Sequence, residues 1–267
     1  RVVLQDIWDA KKAAALIRDE RVTFTMASTP FLTDLTKTVA ETAQPVPTLK
    51  TFLCAGAPIP GLLVEQARKT LGTKIVSAWG MTENGAVTLI KLDDDDERAF
   101  TTDGCALPGV ELKVIDFDGQ TLPVGEVGKL VVRACSNFGG YLKRPQLNGT
   151  DAAGWFDTGD LAHIDARGYI RISGRSKDVI IRGGENIPVF EIESLLYKHP
   201  AVAQAAIVAY ADYRLGERAC AVVVTKPGQS LDMADMVDFL KSQKVALQYI
   251  PERLVVREAM PATPSGK

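Results

Sequence analysis

Between residues 10 and 79 helical and strand-like patterns alternate, and this alternation constrains the fold more than any other feature of the chain. A helical pattern over 11–20 precedes a β-branched and aromatic run at 22–26 that ends near Pro30; strand-like 49–54, helical 60–71 and strand-like 75–79 follow. Such spacing predicts an α/β layer with parallel strands. In sheets of this kind ligands gather at the carboxyl ends of strands, where loops and helix starts leave backbone N–H groups free. Two loops take that position: Ala55-Gly56-Ala57-Pro58 and Gly80-Met81-Thr82-Glu83-Asn84-Gly85.

The α/β layer is expected over about 1–104. After the acidic run 93–97 the text turns to short strands at 111–115, 129–133 and 169–172 with turn residues between them. This predicts a small β unit over about 105–175, a distorted barrel or meander closing at Ser173-Gly174-Arg175. The acidic run reads as a solvated loop, because it lacks the glycine turn with which a calcium loop spaces its oxygens. Beyond Lys177 come a strand at 179–181, the pair Gly183-Gly184, a helix over 189–198 stopped by His199-Pro200, strands at 205–210 and 219–225, and a helix over 231–241. The residue before proline avoids the helical region, which places that stop. A separate small α+β domain over 176–267 is predicted.

At 267 residues and 46% hydrophobic, the chain buries a real core and exceeds one compact unit. Lys plus Arg number 31 against 33 for Asp plus Glu, so a nucleic-acid partner has no electrostatic support and any anion must be held by local sites. Cys54, Cys105, Cys135 and Cys220 are scattered and only His163 and His199 supply imidazole. Neither a zinc site nor a disulfide framework is expected, and reduced thiols point to the cytoplasm. No apolar run approaches the roughly 18 residues of a membrane span, and the first residues lack the apolar core and cleavage site of a signal peptide, so neither is expected.

Several residues carry phosphate and nucleoside chemistry. The Thr82 hydroxyl can bond a phosphate oxygen, and the Glu83 carboxylate can bind Mg²⁺ associated with it, although Thr-Glu after a strand also caps helices. The Gly56 turn is equally a proline-bearing helix entrance. Asp160, after Gly159, suits the two hydroxyls of a ribose or an Asx turn. Arg175 presents a planar fork toward phosphate or ribose oxygens, or belongs to a mixed-charge surface turn. Gly183 and Gly184 let backbone pass close to something narrow, and also serve a strand-to-helix loop. Ile192, Leu195 and Leu196 fall on one helix face and read as core. Lys267 ends the chain on a proline- and glycine-flanked loop.

Taken in order, Ala55-Gly56-Ala57-Pro58, Trp79-Gly80-Met81-Thr82-Glu83, Trp155 to Asp160, Gly174 to Asp178, Gly183 to Glu193 and Gly266-Lys267 resemble the motifs of the adenylate-forming (AMP-dependent) superfamily. That superfamily includes acyl-CoA synthetases, nonribosomal peptide adenylation domains and firefly luciferase. The wording of 52–60, 182–187 and 215–218 is similar to that of bacterial short- and medium-chain fatty acid and cyclohexanecarboxylate-CoA ligases. The resemblance implies a ligase of fatty acid metabolism working in two steps. A carboxylate attacks the α-phosphorus of ATP to give acyl-AMP and pyrophosphate, then the thiol of coenzyme A takes the acyl group and AMP leaves.

By the same resemblance Lys267 bridges carboxylate and α-phosphate, Thr82 bonds phosphate, and Glu83 holds Mg²⁺. Gly56, Ala57, Pro58, Trp79, Gly80 and Met81 flank adenine, Asp160 takes the ribose diol, and Arg175 contacts ribose or phosphate oxygens. Lys177 matches the hinge of a mobile C-terminal domain, whose rotation withdraws Lys267 and brings Gly183 and Gly184 to the pantetheine channel. The acid pocket is expected near 24–31 and at Ala78, Trp79 and Gly85 to Val87. These positions are apolar, so a compact hydrophobic acid is expected.

The family's Ser/Thr/Gly-rich phosphate loop has no counterpart before Ser77, since Thr33 to Thr38 contains no glycine to wrap phosphates. The chain is therefore expected to be the C-terminal half of a larger synthetase, inactive by itself. Two further readings stay open: an aminoacyl or aryl adenylation domain that loads a carrier protein, and a noncatalytic fragment that keeps the fold.

Overall fold

The computed structural model describes residues 1–56 and 59–261. The first layer runs α1 (Ala10–Asp19), β1 (Phe24–Ala27), α2 (Thr29–Thr42), β2 (Thr51–Cys54), α3 (Gly61–Leu71), β3 (Lys74–Met81), β4 (Gly85–Leu89), α4 (Asp96–Thr101) and β5 (Cys105–Ala106). Its sheet has the order β1-β2-β3-β4-β5. The first three strands are parallel, with Phe24 opposite Thr51 and Thr51 opposite Lys74, whereas β4 and β5 add antiparallel.

Helix α1 starts at Asp9, whose carboxylate accepts a bond from the Lys12 amide at 3.0 Å. Its Ala14 and Ile17, with Leu32, Leu35 and Val39 of α2 and Val64, Ala67 and Leu71 of α3, cover Phe52, Cys54 and Ile75 of the sheet. Helix α2 is not predicted by the sequence pattern, in which 33–38 is threonine-rich. The threonines are accommodated by bonding back one turn: Thr33 Oγ1 to Thr29 O at 3.0 Å, Thr36 Oγ1 to Leu32 O at 2.7 Å, and Thr42 Oγ1 to Thr38 O at 2.7 Å. Pro30 sits in the first turn, where its missing N–H costs nothing.

The acidic run is more than a solvated loop. The Asp95 carboxylate caps α4 by accepting from the Arg98 amide at 2.9 Å, and Asp94 accepts the Tyr169 hydroxyl at 2.6 Å.

Strands β6 (Val110–Ile115), β7 (Gly128–Ala134), β8 (Phe156–Ile164) and β9 (Ile170–Arg175) form an antiparallel meander in sequential order. Of the two expected forms, the described residues adopt the open meander. Val114, Leu130, Val132, Ala162 and Ile170 make its core together with Val87 from β4, and Trp79 packs on this cluster. One hydrophobic cluster thus ties the meander to the end of the first sheet, and this junction positions the site.

A turn over 175–178, closed by the Asp178 amide on Arg175 O at 3.0 Å, leads to the third unit. It contains β10 (Ile180–Arg182), β11 (Glu185–Ile187), α5 (Val189–Leu196), β12 (Val202–Asp212), β13 (Gly216–Thr225), α6 (Met233–Ser242) and β14 (Arg253–Arg257). The sheet order is β11-β10-β13-β12, with β14 parallel to β13. Ile192, Leu196, Met236 and Leu240 of the two helices are fully buried against Ala221 and Val223. The Arg171 guanidinium lies 5.2 Å from the Phe190 ring centroid and joins β9 to α5.

Candidate functional site

Strands β2 and β3 are parallel neighbours, with Cys54 opposite Ser77, so the turn at Gly56 and the turn after Met81 leave the sheet along one edge. Gly56 adopts φ 86°, a left-handed conformation that glycine reaches without strain. Ala57, Pro58 and Lys267 lie outside the described residues. Cys54 beneath this edge is buried, and burial pushes its thiol up to about 11, so it is not a nucleophile at neutral pH.

Thr82 and Glu83 do not cap a helix. They form the turn of the β3–β4 hairpin, with Met81 opposite Gly85. The Asn84 carboxamide oxygen accepts the Met81 amide at 3.0 Å and braces the turn from inside. Gly80 is required by close approach, since a Cβ there would meet the Gly85 carbonyl oxygen at 1.9 Å. The Thr82 hydroxyl is left exposed at the tip.

Trp79 and Asp160 meet across the junction of the two sheets. The indole Nε1 donates to Asp160 Oδ2 at 3.0 Å, and Arg175 Nε lies 3.3 Å from Asp160 Oδ1. Asp160 and Arg175 are register partners on β8 and β9. Asp160 is only 5% exposed, and burial holds its carboxyl above the ordinary range against the opposing pull of the Trp79 N–H and the Arg175 guanidinium. It is not an Asx-turn residue: that role falls to Asp157, whose Oδ1 accepts the Gly159 amide at 3.0 Å. The Ser176 amide and hydroxyl both bond Gly159 O, at 2.8 and 3.0 Å, which ties the start of the 175–178 turn to the strand carrying Asp160. Lys177 is exposed in that turn.

Tyr141 was not a candidate from the sequence. Its hydroxyl donates to Glu83 Oε1 at 2.6 Å, and the Phe138 amide donates to Glu83 O at 2.7 Å. The bond to Glu83 raises the Tyr141 phenol above its ordinary value. A usable signal was present in Gly139-Gly140-Tyr141. Gly140 adopts φ 128°, and a Cβ there would meet the Asn148 side chain at 2.4 Å, so the loop doubles back where only glycine fits.

The positions assigned to the acid pocket divide. Ala78 is buried on β3 opposite Leu89, Gly85 is exposed at φ 65°, and Val87 belongs to the meander core. Phe24 and Met26 are exposed on β1, and Phe31 packs edge-on against Trp8 with centroids 4.7 Å apart.

Gly183 and Gly184 form the two-residue turn of the β10–β11 hairpin, with Arg182 opposite Glu185. Their φ values of 60° and 91° account for both glycines as a turn with two left-handed positions. Among the described residues no hydrogen bond or ion pair joins this turn to Thr82, Glu83 or Asp160. Among the described residues there is also no group of three or more His, Cys, Asp and Glu able to hold a metal ion, and no helix is long and apolar enough to cross a membrane.

Two family models match the chain: AMP-binding enzyme over residues 1–142 and AMP-binding enzyme C-terminal domain over 191–267. The medium-chain fatty-acid–CoA ligase of Escherichia coli (strain K12) is 41% identical over 270 residues, covering 100% of this chain and 48% of the ligase. Salicylyl-CoA synthase / salicylate adenylyltransferase of Streptomyces sp is 35% identical over 271 residues, covering 100% of this chain and 49% of that enzyme. ATP-bound MatB from Rhodopseudomonas palustris superimposes with a TM-score of 0.90 at 31% identity, over 97% of this chain and 51% of MatB. The chain spans about half the length of the curated relatives it matches.

Proposed function

The chain belongs to the AMP-binding enzyme family of adenylate-forming ligases, and from that premise we propose that it is part of an acyl-CoA ligase acting on a compact hydrophobic acid. One observation carries the reading: Trp79 at the end of β3 and Arg175 at the end of β9 converge on the same buried carboxylate, Asp160. A buried carboxylate held from both sides keeps its orientation, and its remaining lone pairs are suited to accept the two hydroxyls of a ribose. Arg175 is two-thirds exposed and so keeps donors for ribose or phosphate oxygens.

The donor set also fits a nucleotide-bound Mg²⁺. Such an ion is held by one or two carboxylates with phosphate oxygens completing its sphere, and Glu83 presents one carboxylate oxygen beyond the one Tyr141 engages. When bound, Mg²⁺ supplies charge neutralisation at the phosphates. Thr82 donates to a phosphate oxygen, and Gly56, Ala57, Pro58, Trp79, Gly80 and Met81 flank the adenine. The acid rests against Ala78, Trp79 and Gly85. Lys267 supplies the cation at the α-phosphate, where charge gathers as the carboxylate attacks. For thioester formation with coenzyme A the unit beginning near 176 turns about Lys177, and the Gly183-Gly184 hairpin replaces Lys267 at the site.

The similarity to a salicylyl-CoA synthase / salicylate adenylyltransferase supports a second reading, activation of an aryl acid. Pyrophosphate release by the full-length protein over linear, cyclic and aromatic acids separates the two. Turnover of short alkyl or cyclic acids with transfer to coenzyme A is expected. Turnover of aryl acids alone, with transfer to a carrier-protein thiol, overturns that expectation. Lys267→Ala in the full-length protein is expected to abolish acyl-AMP formation and spare thioester formation from supplied acyl-AMP.

A further inference from the structure

The loop after β7 holds Glu83 at two points. The Phe138 amide fixes its main-chain carbonyl, and the Tyr141 hydroxyl fixes Oε1 of its side chain, from residues 55 and 58 positions further along the chain. This loop is itself braced. The Tyr141 amide bonds Asn148 Oδ1 at 2.8 Å, the Tyr141 and Phe138 rings stand edge-to-face at 4.8 Å, and Phe138 in turn packs on Phe156 of β8 at 5.6 Å. Glu83 sits on a hairpin tip, where a carboxylate otherwise samples several rotamers, and a held carboxylate gives up that freedom before a ligand arrives.

We propose that Tyr141 is a positioning residue, which orients the Glu83 carboxylate so that Oε2 faces the nucleotide-bound Mg²⁺. The inference rests on the reading of Glu83 as the Mg²⁺ ligand. The hydroxyl and the cation take different oxygens of one carboxylate, so the two interactions coexist. Ligating carboxylates are commonly hydrogen-bonded in this way, and loss of the outer partner weakens metal affinity about 10–100-fold.

The test is calorimetric titration of the full-length protein with MgATP, and with ATP in the presence of EDTA. It compares the wild type with Tyr141→Phe, which keeps the ring contact with Phe138 and removes only the hydroxyl, with Glu83→Gln, and with the double variant. Tyr141→Phe is expected to weaken MgATP binding about tenfold and leave metal-free ATP binding unchanged, since a merely structural role would lower both. The double variant is expected to bind no more weakly than Glu83→Gln, because Tyr141 acts through Glu83. Unchanged or tighter MgATP binding in Tyr141→Phe beside a weakened Glu83→Gln overturns the role of Tyr141 and leaves that of Glu83 standing. Wild-type binding by Glu83→Gln overturns the Glu83 reading itself, and the inference with it.

Discussion

Asp160 and Arg175 face each other across the β8–β9 ladder, yet the carboxyl of Asp160 is harder to ionise than a free one. Burial sets the sign. The Trp79 N–H and the Arg175 guanidinium offset only part of the cost of taking the charge out of water. The site thus holds an acceptor whose charge the fold disfavours and, on the function proposed above, a ribose diol would use.

A stability cost follows, with a definite pH window. The folded-state pKa is raised, so folding costs nothing at this group below the ordinary carboxylate range. Stability is lost as pH rises from there through the raised value, and the loss persists above it. Asp160→Asn, whose amide oxygen still accepts from Trp79, is therefore expected to melt higher than the wild type at neutral pH. The gap should close in acid, and, if Asp160 takes the ribose diol as proposed, nucleotide binding should weaken at the pH where the wild-type carboxylate is ionised. Melting curves across this range check it; a neutral-pH melting temperature below that of the wild type means the Trp79 and Arg175 bonds outweigh burial.

Gly80 and Gly72 separate two reasons for glycine. At Gly80 a Cβ collides with the backbone of Gly85, which cannot yield without breaking the β3–β4 hairpin, so Gly80→Ala is expected to cost about 3 kcal/mol. At Gly72, the left-handed cap of α3, a Cβ meets nothing within 4 Å, and Gly72→Ala is expected to cost about 1 kcal/mol of conformational strain. Urea midpoints of the two variants give the comparison. Equal costs would mean that the hairpin re-registers around the added methyl.

Much of the first layer was legible because β2 and β3 are apolar runs and α1 and α3 have one apolar face, patterns that local sequence carries. Helix α2 was hidden because threonine is a poor helix former by itself, and its i−4 hydroxyl bonds are visible only once the helix exists. Strand β14 is less legible for another reason: Leu254-Val255-Val256 is a short apolar run between arginines, and its place parallel to β13 is set by a long-range contact. Within the site, Asp160 and Glu83 stood out as carboxylates beside glycine turns. Their partners Trp79 and Tyr141 lie 81 and 58 residues away in sequence, a distance only the fold closes.

The Gly183-Gly184 turn gives a test that separates folding from chemistry. Both positions have positive φ, and asparagine followed by glycine suits such a turn. The Cβ of Gly183→Asn would lie 3.2 Å from Leu215 Cδ2, the movable end of a side chain, so this variant is expected to keep the wild-type melting temperature. Gly184→Val forces a β-branched residue to φ 91° and is expected to cost about 1–2 kcal/mol. If the turn lines the coenzyme A path, Gly183→Asn in the full-length protein slows thioester formation while leaving acyl-AMP formation intact. Wild-type rates in both half-reactions would assign these glycines to the turn alone.

The same hairpin is held to its sheet by few bonds. Strand β10 meets β13 at one register pair, Arg182 opposite Gly216, supported by the Gly183 amide on Leu215 O at 2.8 Å and the Ile181 amide on Glu217 Oε2 at 2.9 Å. The Arg182 guanidinium adds two bonds to Glu252 Oε1, at 2.7 and 3.3 Å, and Arg218 Nη1 reaches the same oxygen at 3.2 Å. One carboxylate therefore separates two guanidinium groups, with the Arg182 side chain 25% exposed and that of Arg218 31% exposed. Glu252→Gln preserves the shape and removes the charge, leaving two cations facing each other, and is expected to cost about 1–3 kcal/mol. Arg218 retains Asp212 at 2.7 Å, whereas Arg182 loses its ion pair and keeps only the weaker attraction of Glu185 and Asp212. Adding Arg182→Met to Glu252→Gln should therefore recover part of the loss, since the cost of breaking such a pair resides mainly in the charge left unpaired. Hydrogen exchange at Ile181 and Asn186 should report the loosened hairpin in the single variant and its partial return in the double. Strictly additive losses would mean that Arg182 holds the hairpin through its packing and not through its charge.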